Sequence, residues 1–180
     1  MKILISGGCK NGKSSLAQDL AVALSKDSPR YYVATMIPFD DEDRERIKKH
    51  IQNREGMGFT TVEQGRDVSA CLEKADPRAT FLVDSVTALL LNELFPDFSA
   101  PPDPEGEKRC IEGLLKLAAG AENAVFVSDF IYSDADKYGE FTELYRSALA
   151  RIDGALARYC DTVIEMCAGT PVYHKGGPIK

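Results

Sequence analysis

The chain has 180 residues, 44% of them apolar and 28% charged, with a formal net charge of −6. That length supports one folded domain over residues 1–180 with its own core, and the balance excludes intrinsic disorder. The negative charge argues against a general nucleic-acid binder, which needs a basic face. No apolar run reaches the ~18–20 residues that span a bilayer. With no signal-peptide pattern at the N-terminus, a cytoplasmic location is expected. The five cysteines are scattered and form no C-x-x-C pair, which suits a reducing compartment better than a disulfide framework or a zinc site.

The stretch from Met1 to Ala23 organises the rest. Ile3-Leu4-Ile5 reads as a short buried strand, and Gly7-Gly8-Cys9-Lys10-Asn11-Gly12-Lys13-Ser14 follows as G-x-x-x-x-G-K-[ST]. Glycines let the backbone turn tightly and approach a phosphate, successive N–H groups form an anion nest, and the helix that opens at Lys13 adds its positive end. Gly7, Gly8, Cys9, Lys10, Asn11, Gly12, Lys13, Ser14 and Ser15 are therefore expected to cradle a nucleoside triphosphate. Lys13 reaches the β/γ-phosphates, and the Ser14 hydroxyl ligates Mg²⁺. Cys9 reads as a small, permissive loop residue.

Residues 13–25 place Leu16, Leu20, Ala23 and Leu24 on one face, as in a helix packed on a sheet. Asp27-Ser28-Pro29 ends it, and Tyr31 to Thr35 reads as a second buried strand. Strand, helix and strand make a βαβ unit with parallel strands and a right-handed crossover. The acidic run Asp40 to Asp43 then leads into a basic segment ending at Arg54, which matches a helix macrodipole. Only Ile47, Ile51 and Met57 are available to hold this helix down. Arg46, His50 and Arg54 recur every four residues and share a face. A solvated helix face accounts for that pattern. So does a phosphate site in which a neutral imidazole attacks an α-phosphate.

Residues 59–63 read as a short strand or sheet edge, and 66–74 as a short helix. Thr80 to Asp84 is an apolar run ending in an acid, the Walker B pattern, so Asp84 joins Ser14 as an expected Mg²⁺ ligand. Helix follows over 85–95, a loop with four prolines over 96–107, and helix again over 108–119. Residues 124–129 form a strand, 130–139 a polar loop of the kind that carries function, and 140–159 a long amphipathic helix. Thr162 to Cys167 and Pro171 to His174 read as a hairpin through Ala168-Gly169-Thr170, so the last strand is antiparallel. The sum is an α/β chain with a mainly parallel sheet and ligand at the carboxyl ends of the strands.

At this level of detail the chain resembles the bifunctional adenosylcobinamide kinase/adenosylcobinamide-phosphate guanylyltransferase family of cobalamin biosynthesis. The matching elements are Gly7-Gly8-x-x-x-Gly12-Lys13-Ser14, Tyr32-Val33-Ala34-Thr35, Asp41-Glu42, Arg46-Ile47-x-x-His50-x-x-x-Arg54, Thr61-x-Glu63, the segment Leu82 to Leu94, and Ala168-Gly169-x-Pro171. They occur in order over nearly the whole chain. The resemblance implies a RecA-like P-loop NTPase fold, a homotrimer, a corrinoid acceptor and two reactions. The first phosphorylates the aminopropanol hydroxyl of adenosylcobinamide with GTP or ATP. The second transfers GMP from GTP to that phosphate through a guanylylated histidine, by position His50. Ala34, Thr35, Arg54, Glu63 and Asp84 then join the nucleotide site, with Arg54 orienting phosphates and Glu63 reading the nucleotide. Lys13 and His50 are expected to face one phosphate-sized space.

The chain departs from the family pattern in three places. Ser128 to Asp134 stands where an Asn-Glu-Val-Gly segment is usual. Arg146 is kept but Ser147 follows it, and Asp153-Gly154 replaces Asn-Gln. There is no tryptophan. These changes leave the nucleotide half intact and bear on the acceptor. A P-loop kinase for another small molecule, or a nucleotide-binding protein without chemistry, remains compatible with the sequence.

Overall fold

The computed structural model describes residues 1–73, 75–76 and 78–179. Thirteen elements follow in order: Lys2–Gly7 (β1), Lys13–Ser25 (α1), Arg30–Ala34 (β2), Asp41–Asn53 (α2), Phe59–Glu63 (β3), a 3-10 turn at Val68–Glu73, Thr80–Asp84 (β4), Val86–Leu94 (α3), Gly106–Gly120 (α4), Asn123–Val127 (β5), Glu140–Tyr159 (α5), Thr162–Cys167 (β6) and Thr170–Lys175 (β7). The elements read from periodicity are all present, most within two residues of the expected ends. Residue 74, the end of the expected 66–74 helix, lies outside the described residues.

The strands form one sheet in the order β3-β2-β4-β5-β1-β6-β7. All pairings are parallel except β6 with β7. Two features of this order place the site. First, β5 lies between the phosphate-loop strand β1 and the acid-ending strand β4. Second, the carboxyl ends are in step: Ala34 pairs with both Glu63 and Asp84, Asp84 with Val127, and Val127 with Ile5. Parallel strands cannot be joined by tight turns, so every crossover helix returns the chain to the same starting edge. All parallel strand ends therefore face one direction.

Alternation along β1 divides the core. Ile3 and Ile5 pack with α1 and the Leu82, Val125 and Val127 side chains. Leu4 points the other way, into a cluster built from Phe81, Val83 and Phe126 and the buried faces of α3, α4 and α5. Residues that close-pack on both faces explain why β4 and β5 are continuous apolar runs. The buried face of α1 differs from the one expected. Ala17, Ala21 and Ser25 lie against the sheet, Ala23 is exposed, and Leu16, Leu20 and Leu24 are only partly buried along the helix flank. Small side chains four residues apart let the helix backbone sit close to the strands, and the leucines close the gap at the side. At the far edge, Ala168 (φ 49°) and Gly169 (φ 79°) form the two-residue link between β6 and β7. Two successive positive φ values give the twist that an antiparallel hairpin requires.

One buried charge stands out in this frame. Asp153, on the inner face of α5, is 4% exposed. Its Oδ2 accepts from the Ser128 hydroxyl and the Tyr132 hydroxyl, each at 3.0 Å. Burial pushes its carboxyl up to about 6, against the opposing pull of those two hydrogen bonds. A carboxyl whose folded-state value is raised ionises at a stability penalty. That penalty is absent below the ordinary value near 3.8, grows between there and about 6, and is complete above. Asp153→Asn should therefore unfold at a higher temperature than the wild type at pH 7.5, with the gap closing as the pH is lowered from 6 to 4 in a calorimetric series.

Candidate active site

The phosphate loop is shaped for close backbone approach. Gly7 has φ 150°, and a Cβ there would lie 2.6 Å from both the Met166 carbonyl and the Asn11 side chain, so only glycine fits. The Asn11 amide in turn donates to the Met166 carbonyl at 2.5 Å, tying the loop to β6. Gly12 precedes α1 in a left-handed conformation and caps it with no side chain. The first N–H groups of α1 are thus left for an incoming anion. Lys13 is buried. Its ammonium donates to the Gly8 carbonyl at 2.6 Å and pairs with Asp129 Oδ1 at 2.9 Å. Ser14 is half-buried at the first turn, while Gly8, Cys9, Lys10 and Ser15 are exposed.

Asp129 is a site residue that sequence reasoning missed. Its strand leads into Ser-Asp at 128–129, the same signal that marks Asp84, but nothing local reveals that the end of β5 adjoins the loop. The structure fixes it from two sides. Its backbone N–H donates to Thr87 Oγ1 at 2.9 Å, and the next residue, Phe130, donates to the Gly7 carbonyl at 2.9 Å.

A second group of residues lies across the ends of β4, β2 and β3. Asp84 Oδ2 accepts from the Tyr32 hydroxyl at 2.8 Å and lies 3.9 Å from His50 Nδ1. Burial, then the neighbouring Asp84 charge, hold the Tyr32 phenol far above its ordinary value, so it remains a donor. Arg54 is 8% exposed, stacks its guanidinium 4.1 Å from the Tyr32 ring centre, and donates to Thr61 Oγ1 at 2.9 Å. A cavity of about 530 Å³ opens over this group, lined by Tyr32, Ala34, Met36, Ile37, Arg44, Ile47, Lys48, His50, Arg54, Glu63, Asp84 and Ser85, among others. His50 is therefore a cavity residue, and its Nδ1 is buried without a hydrogen-bond partner.

Three expectations change. Arg46 does not line the cavity; it is half-exposed and reaches Glu42 and Asp43 one turn back, at 3.8 and 4.0 Å. Arg44 and Lys48 take its place, because α2 turns its 44/47/48 flank inward. Thr35 is fully buried, and its hydroxyl bridges the Ser85 N–H and carbonyl at 2.7 Å each, so it staples two strand ends and presents nothing to the cavity. Finally, no phosphate-loop residue lines the cavity. The strand β4, whose Asp84 touches His50, lies two strand spacings from β1, about 10 Å. Lys13, paired with Asp129 beyond β5, therefore lies outside the cavity that His50 lines, in the same row of strand ends.

Among the described residues no group of three or more His, Cys, Asp or Glu side chains could hold a metal ion. Mg²⁺ needs less than that, since it is bound through one or two carboxylates plus substrate phosphates. Asp84 commits one oxygen to Tyr32 and leaves the other, and Ser14 stands at the loop. That donor set fits an ion that arrives with a nucleotide.

The geometry is matched by descent. The family model for cobinamide kinase / cobinamide phosphate guanyltransferase covers residues 3–173. The chain belongs to that family of transferases. Its relatives include the bifunctional adenosylcobalamin biosynthesis protein CobP of Pseudomonas aeruginosa, 30% identical over 99% of this chain and 100% of that protein. The CobU protein of Salmonella typhimurium is 27% identical over 96% of this chain and 98% of its own length. In three dimensions the chain is similar to solved ATPases. One from the type III secretion system of pathogenic bacteria matches at TM-score 0.57 and 12% identity, over 91% of this chain and 50% of that one. A second solved ATPase domain matches at TM-score 0.53 and 15% identity, over 91% of this chain and 68% of that one. At such identities the likeness is one of fold, and it bears out the P-loop NTPase architecture. No helix among the described residues is long and apolar enough to cross a membrane.

Asp129 competes with any phosphate for Lys13. Asp129→Asn should bind GTP more tightly than the wild type, by about fivefold, the upper range for a partly exposed ion pair. Equilibrium titration at fixed Mg²⁺ and salt checks this.

Proposed function

We propose that this chain phosphorylates the aminopropanol hydroxyl of adenosylcobinamide with GTP or ATP, and then moves GMP from GTP to that phosphate through His50. The observation that carries the second half is the His50 imidazole, held in a cavity with Arg54, Glu63 and Asp84, its Nδ1 3.9 Å from Asp84 Oδ2 and without a hydrogen bond. An imidazole beside a carboxylate and a buried arginine is suited to attack phosphorus.

The row of strand ends suggests how a single nucleotide serves. With the β- and γ-phosphates at Lys13, the chain of phosphates runs past Asp129 and Asp84 toward His50. The nucleoside then enters the cavity, where the Glu63 carboxylate can accept from the N–H groups of guanine. Adenine offers no such pair of donors on that edge, so the guanylyl half favours GTP. Ser14 and Asp84 would hold an Mg²⁺ that arrives with the nucleotide, which would supply positive charge against the phosphates. A His50 nitrogen attacks the α-phosphorus and pyrophosphate leaves. The acceptor phosphate oxygen then attacks the same phosphorus, breaks the P–N bond and restores the imidazole. α2 buries no side chain, so little packing opposes a small shift of His50 toward the phosphates. In the kinase half, phosphate draws Lys13 away from Asp129. The freed carboxylate is then placed to accept the proton of the acceptor hydroxyl as the γ-phosphoryl moves across.

Incubation with α-labelled GTP and Mg²⁺ should leave an acid-labile label on the protein. His50→Ala should abolish it, and Lys13→Ala should reduce it by about 100-fold, as expected for loss of a phosphate-stabilising cation. Full labelling of His50→Ala would rule out the guanylyl-histidine.

A further inference from the structure

A second cavity, of about 270 Å³, opens on the α5 side of the sheet, against the strand that leads into the phosphate loop. Ser6, the residue before Gly7, points into it, because alternation along β1 sends Leu4 and Ser6 away from α1. Phe130 and Tyr132, just beyond Asp129, form one wall, and Asp153 and Gly154 of α5 form another. Five of its twelve lining residues come from the two stretches that depart from the family pattern, 128–134 and 146–154. They are separate in sequence and meet here.

Its polar atoms are of one kind. Asp153 Oδ1 is buried with no hydrogen-bond partner among the described residues, and the Ser6 hydroxyl lies against that of Tyr132. At the mouth, Glu165 is paired with His174 at 2.7 Å. Among the described residues no lysine or arginine lines the space. Two carboxylates and two hydroxyls, one of them the Tyr132 donor to Asp153, with the lone imidazole already paired, repel a phosphate and accept from N–H or O–H donors. Gly154 adds no side chain to the α5 wall, and a Cβ there would meet only the Arg158 guanidinium, at 3.7 Å. An unmet buried acceptor is costly, and a donor that reaches it recovers that loss.

We propose that this cavity receives a hydrogen-bond-donating arm of the acceptor, a primary amide or hydroxyl, while the acceptor's reacting group lies at the phosphate loop. The proposal rests on the acceptor reading given above. A corrinoid carries primary amides around its macrocycle, and one such arm suits both the volume and the donor requirement. The shared wall ties the two places together: Phe130 lines the cavity and its backbone N–H holds the Gly7 carbonyl.

The test is a steady-state kinase assay with adenosylcobinamide varied at saturating GTP, on the wild type, Gly154→Leu and Asp153→Asn, with GTP affinity and thermal unfolding measured alongside. Gly154→Leu fills the cavity, and Asp153→Asn changes its hydrogen-bonding without changing its volume. Each should raise KM for adenosylcobinamide by about tenfold or more, the scale of one hydrogen bond to a charged group, with kcat and GTP affinity within about twofold of wild type. Folded variants with unchanged KM overturn the inference alone, and Asp153→Asn carries the test if Gly154→Leu does not fold. A wild type that binds GTP but does not phosphorylate adenosylcobinamide overturns the acceptor reading and the inference with it.

Discussion

The register of the parallel ladder is the constraint on which the site depends. Ala34, Glu63, Asp84, Val127 and Ile5 are in step across five strands, so the loops beyond them all emerge at the same edge. Four of these strands contribute a chemical element: β3 the Glu63 acceptor, β4 and β5 the Asp84 and Asp129 carboxylates, β1 the anion nest. Neighbouring strands are about 4.8 Å apart, which spaces these groups along a line and brings no pair of distant strands together. The fold therefore builds an elongated site.

The second organising fact is that the site's buried cations have internal partners. Lys13 is held by Asp129 and the Gly8 carbonyl, and Arg54 by the Tyr32 ring and Thr61. A buried charge with no partner would be prohibitively unstable, so these contacts keep the cations in place without substrate. They also set the terms of binding, because a phosphate must compete with a carboxylate for Lys13. Arg54 differs, since a stacked guanidinium keeps its outward edge free for a second partner. The His50 Nδ1 has no hydrogen-bond partner among the described residues and lies 3.9 Å from Asp84 Oδ2.

Much of this is legible in the sequence, for physical reasons. Glycine spacing and the uncapped start of α1 specify an anion site locally. The apolar runs of β4 and β5 specify burial on both faces, and Ala168-Gly169 specifies a hairpin. The features that escape such a reading depend on neighbours distant in the chain. The Lys13–Asp129 pair spans more than a hundred residues and needs the strand order. Arg46 pairs with carboxylates one turn back, away from the cavity, while Arg44 and Lys48, paired with Asp41 and Glu45, line it. Periodicity alone weights leucine over alanine, and so misses that α1 approaches the sheet through Ala17 and Ala21. Pattern places Thr35 with the nucleotide, yet its hydroxyl is consumed in joining two strand ends.

The central claim is that one nucleotide lies along the row, with its phosphates at Lys13 and its base at Glu63. Calorimetric titration with the non-transferable analogue α,β-methylene GTP and Mg²⁺ tests it most directly. The account predicts one nucleotide per chain, weakened by about tenfold or more in both Lys13→Ala and Glu63→Gln. Two binding events per chain, each sensitive to only one of these substitutions, would contradict it.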